Sequence, residues 1–352
     1  MTSFLPRELQ RYPEAESLLN RRDYLSWGTQ GLGATALLYL LGKDGVVRGG
    51  DEASPGYLLP AKAKRAVQIT LIGGMSHIDS FDYKPKLYPL DGKTVPVKTF
   101  GRGGKRNEGR VVGPKWAFQQ RGQCGKWVSD LFPRIAELAD RLCVVRSMVG
   151  ELPLHGQQAL LLHTGRILGQ APSVGAWVSY GLGTENRNLP GYVVLNAGRG
   201  TSGGTSNWGS GFLPSTHAGV LFRNKGEPVL NLNNPGGLSD AMQSATVEAV
   251  RDLNGIRHAT VGDPEINARI SQYEMAFRMQ TSVPELTDIS TESKATLDLY
   301  GAEVTEPGTF AASCLLARRM AERNVRVVQI LHRGWDQHSN LPKEIRSQVS
   351  DT

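Results

Sequence analysis

The sequence predicts an α/β protein with a central, mainly parallel sheet and helices on both faces. Two short apolar runs, 66–72 and 325–331, contain the β-branched residues typical of buried strands, and polar residues follow each run closely. A helical repeat of apolar residues over 310–322 leads directly into the second run. Strands that alternate with helices favour parallel pairing, with the helices packed on the sheet.

Composition limits the class of protein. The chain has 352 residues, 39% hydrophobic and 21% charged, which is ordinary for a folded soluble protein with one large domain or two smaller ones. The net charge is +7, and the densest basic run is 98–110. Because that run has no interleaved aromatic ladder, we expect no nucleic-acid partner. It is interpreted as a solvated loop, or alternatively as a surface that attracts anionic substrates.

The first 55 residues are predicted to be an export signal and linker. Arg21 and Arg22 precede a weakly apolar, glycine-rich stretch over 27–41, an order that resembles a twin-arginine signal. The alternative is an amphipathic surface helix. The stretch is too short to span a membrane in a mature protein, so we expect a periplasmic or secreted protein with no stable membrane span after export. The folded α/β domain is then 60–352.

The elements are predicted in order from their periodicity. Run 66–72 is a first buried strand, and 84–123 is a long surface loop. A helix over 128–139 and a second buried strand over 142–146 would complete a βαβ unit. Further predicted elements are short helices over 156–163 and 174–180, a third strand over 192–195, a polar loop over 198–210, and short strands near Val220 and Val229.

The later part of the chain is predicted to be mostly helical. Helical spacing covers 238–300, where Pro264 and Pro284 mark helix starts or breaks. The helix over 310–322 should point Cys314, Leu315 and Met320 inward and Arg318 and Arg319 outward. The strand over 325–331 follows it.

Two loops at predicted strand ends carry candidate metal ligands. The first loop contains His77, Asp79 and Asp82, and the second contains Asp336 and His338. Imidazole and carboxylate groups suit divalent ions such as zinc, manganese and iron. The alternatives are a capping carboxylate with a hydrogen-bonded loop histidine in the first loop, and a solvated loop in the second. Since parallel strands deliver such loops to one edge of a sheet, we expect the two loops to lie together.

Segment 155–166 carries a third set of candidates. His155 precedes a predicted helix and is interpreted as a base, a ligand or a hydrogen bonder at the helix end. Arg166 is predicted to bind an anionic group through two hydrogen bonds. His163 is interpreted as a core or helix-end histidine. The glycine-rich run 198–203 matches G-x-G-x-x-G, but no helix opens there, so dinucleotide binding is rejected.

The cysteines contribute little to these predictions. Cys124, Cys143 and Cys314 are too few and too scattered for a disulfide framework or a cysteine zinc site. The sequence does not exclude a single disulfide bond between two of them.

Several motifs together resemble one family. The motifs lie at 21–25, 73–82, 145–148, 155–156, 163–166, 315–319 and 334–338. Their order and spacing across nearly the whole chain are similar to those of the domain-of-unknown-function 1501 (DUF1501) family, whose members are exported bacterial proteins abundant in planctomycetes. These proteins look like distant relatives of the alkaline phosphatase and sulfatase superfamily.

The resemblance implies an alkaline-phosphatase-like fold and a two-metal site made of Asp and His that cleaves phosphate or sulfate esters. His77, Asp79, Asp336 and His338 would be metal ligands, and the ion is expected to be zinc, calcium or manganese. Segment 155–166 resembles the sulfatase nucleophile helix, but His155 stands at the nucleophile position. His155 would therefore act as a catalytic base or as a ligand. Family members also continue beyond residue 352, so the sheet is expected to lack its last strands.

The function expected from these features is an exported, metal-dependent, sulfatase-like or phosphatase-like hydrolase. Its substrate would be a small-molecule or glycan ester that carries a negative charge. The alternative is a non-catalytic exported binding protein that keeps the scaffold without a complete active site.

Overall fold

The computed structural model describes residues 63–96, 109–150, 154–198, 202–223, 226–229, 232–234 and 236–352. The predicted export signal lies outside these residues. In the described part, the strands are β1 (Ala66–Ile72), β2 (Phe118–Arg121), β3 (Lys126–Ser129), β4 (Tyr192–Ala197), β5 (Val220–Phe222) and β6 (Val327–Arg333). The helices there are α1 (Pro133–Glu137), α2 (His155–Thr164), α3 (Val174–Leu182), α4 (Asp240–Val261), α5 (Pro264–Thr287), α6 (Lys294–Tyr300), α7 (Phe310–Glu322) and α8 (Leu341–Ser350).

Four of these strands form one parallel sheet in the order β1-β6-β4-β5. Strand β6 lies inside the sheet, since Val327 is in register with Ala66 on one side and with Tyr192 on the other. Its run of valine, isoleucine and leucine is buried along most of its length, as a strand covered on both faces requires. Strands β2 and β3 form a separate antiparallel hairpin.

Helices cover both faces of the sheet, as predicted. Alternate side chains of β4 and β6, such as Val193 and Ile330, pack against α5 and α7 in the largest core cluster. The intervening side chains, such as Val194 and Leu331, pack with Ala159 of α2 on the other face. A third cluster joins Val128 of the hairpin to α8 and to the loop after β6.

The prediction of a second strand over 142–146 is wrong. These residues form no strand, and Val145 is 61% exposed. An apolar run is buried as a strand only when a neighbouring strand pairs with it, and in the described residues β1 pairs with β6 instead. The apolar run that follows β1 in the sequence, 142–146, is therefore not the strand that lies next to β1 in the sheet.

Three smaller predictions also need correction. Arg319 was expected to point outward, but it is 4% exposed because its guanidinium donates to the carbonyls of Glu285, Leu286 and Asp288 at the end of α5. The expected surface loop over 84–123 contains β2. Residue 229 is described and is not part of a strand.

No helix in the described residues combines the length and the apolar character needed to cross a membrane.

Candidate metal centre

The loop after β6 is held close to the end of β1. Gly334 begins it with a φ of +112°, a conformation that favours glycine. The next residue, Trp335, is 1% exposed, and its backbone N–H donates to the carbonyl of Ile72 at 3.2 Å. A Cβ at Gly73 would lie 2.5 Å from the backbone nitrogen of Asp336, so only glycine allows this close approach. The two predicted loops therefore meet at one edge of the sheet.

His155, Asp336 and His338 come together at this edge. The Nε2 atom of His155 lies 2.9 Å from Oδ2 of Asp336, and Nε2 of His338 lies 2.9 Å from the same oxygen. One ligand atom from each residue can be chosen so that all three lie within 4.8 Å of one another. A search of the described residues for such groups of three or more finds this one.

These three side chains fit a divalent metal ion. Two imidazole nitrogens and one carboxylate oxygen suit zinc or manganese better than calcium, which prefers oxygen ligands alone. The Asp336 and His155 side chains are 37% and 40% exposed, and that of His338 is 64% exposed. Three protein ligands at a surface that solvent and solutes can reach are typical of catalytic rather than structural sites.

Helix α2 delivers His155 to this group. His155 is the first residue of α2, and the helix ends at Gly165, which adopts the left-handed conformation that terminates many helices. The buried ring of His163 fixes the far half of the helix, since Nε2 lies 3.0 Å from Oγ1 of Thr70 in β1 and Nδ1 lies 3.1 Å from Oδ1 of Asn207. Burial lowers the pKa of His163. Its interpretation as a core histidine agrees with this position.

Asp79 of the loop after β1 is turned into the protein. It is 2% exposed, and its two oxygens accept hydrogen bonds from Oγ of Ser76 at 2.7 Å and from the backbone nitrogen of Lys115 at 3.1 Å. The metal-ligand group in the described residues does not include it. Its role as a metal ligand stays a prediction.

His77 lies in a separate charged cluster around Asp82. Its Nδ1 is 3.1 Å from Oδ2 of Asp82, and its side chain is 72% exposed. Lys84 also contacts Asp82, at 2.8 Å, and Arg146 lies 3.8 Å away. The hydrogen bond from Lys84, with a smaller contribution from His77, lowers the pKa of the Asp82 carboxyl group. The role of His77 as a metal ligand also stays a prediction.

Arg166 lies at the opposite end of α2 from His155. The ten residues of the helix rise about 1.5 Å each, so roughly 14 Å separate its two ends. Arg166 is exposed, and its backbone nitrogen donates to Oγ1 of Thr164. The structure therefore does not bring Arg166 to the three-residue group, and its substrate-binding role stays a prediction.

Sequence reasoning did not single out His332, which lies directly beneath the site loop. It is 4% exposed, stacks on Phe310 at 4.2 Å, and accepts a hydrogen bond at Nδ1 from Nε1 of Trp335 at 3.3 Å. Burial lowers the pKa of His332 to about 4, so its ring is neutral near pH 7. A histidine near the end of a mostly apolar strand, two residues before Gly334-Trp335, was the available signal.

One family model matches most of the chain. The model of the family described as "Protein of unknown function (DUF1501)" matches residues 63–352. The chain therefore belongs to the DUF1501 family. Searches of curated proteins and of solved structures found no match.

Proposed function

We propose that this protein is a metal-dependent hydrolase of phosphate or sulfate esters, related to alkaline phosphatases and sulfatases in fold. The observation that carries the proposal is the convergence of His155, Asp336 and His338 at the carboxyl edge of a parallel sheet. Ligand sites in open α/β sheets lie at this edge. The three side chains are proposed to hold one zinc or manganese ion.

The chain itself favours an anionic substrate at this position. His155 is the first residue of α2, and the residue before it, Leu154, provides no side-chain cap. The unpaired N–H groups and the dipole at such a helix end attract negatively charged groups. Two imidazoles share one oxygen of Asp336, which fixes the direction of that carboxylate. A bound ion would add polarisation of the ester and neutralise its anionic oxygens.

The geometry favours His155 as a third ligand over His155 as a separate base. Its Nε2 contacts the same oxygen of Asp336 that His338 contacts, so all three ligand atoms surround one position. The proposal also includes export by the twin-arginine route, which carries folded proteins, because Arg21 and Arg22 precede an apolar stretch.

The second candidate function is metal-dependent binding of an anionic ester without hydrolysis. In the hydrogen bonds and ion pairs of the described residues, no serine, threonine or cysteine side chain contacts His155, Asp336 or His338. A nucleophile that forms a covalent intermediate normally lies within hydrogen-bond reach of its base. This observation favours the binding protein.

Metal analysis and an ester assay on the full chain test both candidates. We expect about one zinc or manganese ion per chain after dialysis, and loss of that ion in His338→Ala. His258→Ala, which removes an imidazole on α4, should keep the ion. Hydrolysis of p-nitrophenyl phosphate or p-nitrophenyl sulfate that is lost with the ion supports the enzyme. Metal-dependent binding of these esters without turnover supports the binding protein, and an absence of bound ion contradicts both.

A further inference from the structure

The conformation of the Asp336 loop depends on a buried contact between two aromatic rings. The indole of Trp335 fills a core position among Phe132, Ile345 and their neighbours, and its only polar atom donates to His332. An indole N–H cannot accept a hydrogen bond, so Nδ1 of His332 is the acceptor and the ring proton is on Nε2. Nε2 lies 2.7 Å from the side-chain amide nitrogen of Gln348 on α8, so a ring proton on Nε2 requires the Gln348 amide to turn its oxygen toward the ring.

The position of Trp335 also restricts the backbone of the next residue, Asp336. Trp335 is also held by its backbone N–H, which donates to Ile72, while Gly73 presses against the backbone of Asp336. Gly334 has a φ of +112°, which strains any residue with a side chain, and a Cβ there would displace the Gln348 side chain, whose Oε1 would lie 2.2 Å away. These contacts fix the main chain that carries the Asp336 carboxylate.

From this geometry we propose that His332 is a positioning residue for the metal centre, acting through the indole of Trp335. The inference rests on the proposed function, because it assumes that Asp336 and His338 hold an ion. His332 contacts neither ligand in the described structure, and its ring is stacked on Phe310 on its other side. Its effect on the centre therefore passes through the loop.

The chemistry of the contact suggests the decisive variants. In His332→Asn the amide oxygen is attached to Cγ, as Nδ1 is in histidine, so Asn keeps an acceptor for the indole. His332→Leu removes the acceptor and keeps most of the volume. Trp335→Phe removes the donor. Leu286→Ala, in the core cluster that α5 contributes to, is the control for lost stability alone.

Zinc affinity, measured by competition with a chromogenic chelator, is the first readout. Loss of a partner behind the ligands typically lowers metal affinity 10–100-fold, and we expect this loss in His332→Leu and in Trp335→Phe. The double variant should lose no more than either single variant, since both remove the same hydrogen bond. His332→Asn should stay within about threefold of wild type, as should Leu286→Ala at a comparable loss of melting temperature.

Backbone amide spectra of the metal-free protein separate this inference from the proposed function. We expect the resonances of 334–338 to move or broaden in His332→Leu and to stay in place in His332→Asn. If the wild type binds no zinc, the proposed function fails, but these spectra still decide whether His332 sets the loop. Equal zinc affinities in His332→Leu and Leu286→Ala, or no recovery in His332→Asn, would overturn the positioning role.

Discussion

Two loops with similar composition lie side by side at the edge of the sheet, and they use their polar groups in opposite ways. The loop after β1 turns Asp79 into the protein and occupies both of its oxygens with internal donors. The loop after β6 leaves Asp336 partly exposed and places it against two imidazoles. An acid and a histidine after a strand therefore do not define a site by themselves. Burial, and the identity of the hydrogen-bond donors, distinguish the structural loop from the candidate metal centre.

The contact between the two loops gives the largest expected effect. Gly73→Ala should destabilise the protein by about 3 kcal/mol and should also lower metal affinity. The φ of +111° strains alanine, and its Cβ would meet the backbone of Asp336 at 2.5 Å. Urea unfolding and chelator competition measure the two effects. Gly74→Ala is the matched control, because Gly74 also has a positive φ but has open space around it, so we expect strain alone, about 1 kcal/mol.

The two aspartates should respond in opposite ways to the same substitution. Asp79→Ala should lower the free energy of unfolding by about 2–3 kcal/mol, because the part-buried N–H of Lys115 and the hydroxyl of Ser76 lose their buried acceptor. Asp336→Ala should change it by about 0.5 kcal/mol or less while removing metal binding. A larger loss of stability at Asp336 than at Asp79 would contradict the distinction drawn between the loops.

Acid should destabilise the folded protein, because the buried ring of His332 must stay neutral. The pKa of His332 is about 4 in the folded protein and near 6.5 in an unfolded chain, so the unfolded state binds more protons between these values. The stability that depends on the neutral ring is therefore complete above pH 6.5, and about 3 kcal/mol of it is lost as the pH falls to 4. Urea unfolding at pH 7 and pH 4 measures this loss. His332→Asn should show a smaller loss, and an equal loss would contradict the assignment.

The smallest effect is expected for the histidine of the first loop. His77→Ala should change the free energy of unfolding by less than about 0.5 kcal/mol, because its ion pair with Asp82 is exposed on the His77 side and Lys84 remains. Zinc affinity should also stay within about threefold of wild type. A loss of tenfold or more would instead support the prediction that His77 is a ligand.

Local patterns predicted much of the fold. The bounds of α7 were predicted to the residue, and β1, β4 and α2 were predicted to within two residues, because helical and strand periodicities are local properties. Sheet order is not local, and residues 142–146 were assigned to a strand for which the described residues offer no partner. The buried position of Arg319 was missed for a similar reason, since the carbonyls that accept its hydrogen bonds lie about 30 residues earlier.

The sequence also predicted only part of the candidate site, because residue type and position are local properties and the contacts of a folded loop are not. His155, Asp336 and His338 were all singled out by residue type and by position at the ends of predicted elements. Which loop turns its carboxylate outward depends on donors such as the backbone of Lys115, and no short-range pattern reports them. His332 acts through a contact with Trp335 that becomes visible only when β6 and its following loop are folded.

The order of strands has a consequence for how the protein is made. Strand β6 is an inner strand and yet the last of the described strands in sequence order, so β1 and β4 have no hydrogen-bonding partner on that side until residues 327–333 leave the ribosome. About 250 residues separate β1 from β6, which corresponds to roughly 12–50 s of synthesis. During that time the apolar edges of β1 and β4 need protection from aggregation. We therefore expect newly made chains to bind chaperones until β6 inserts.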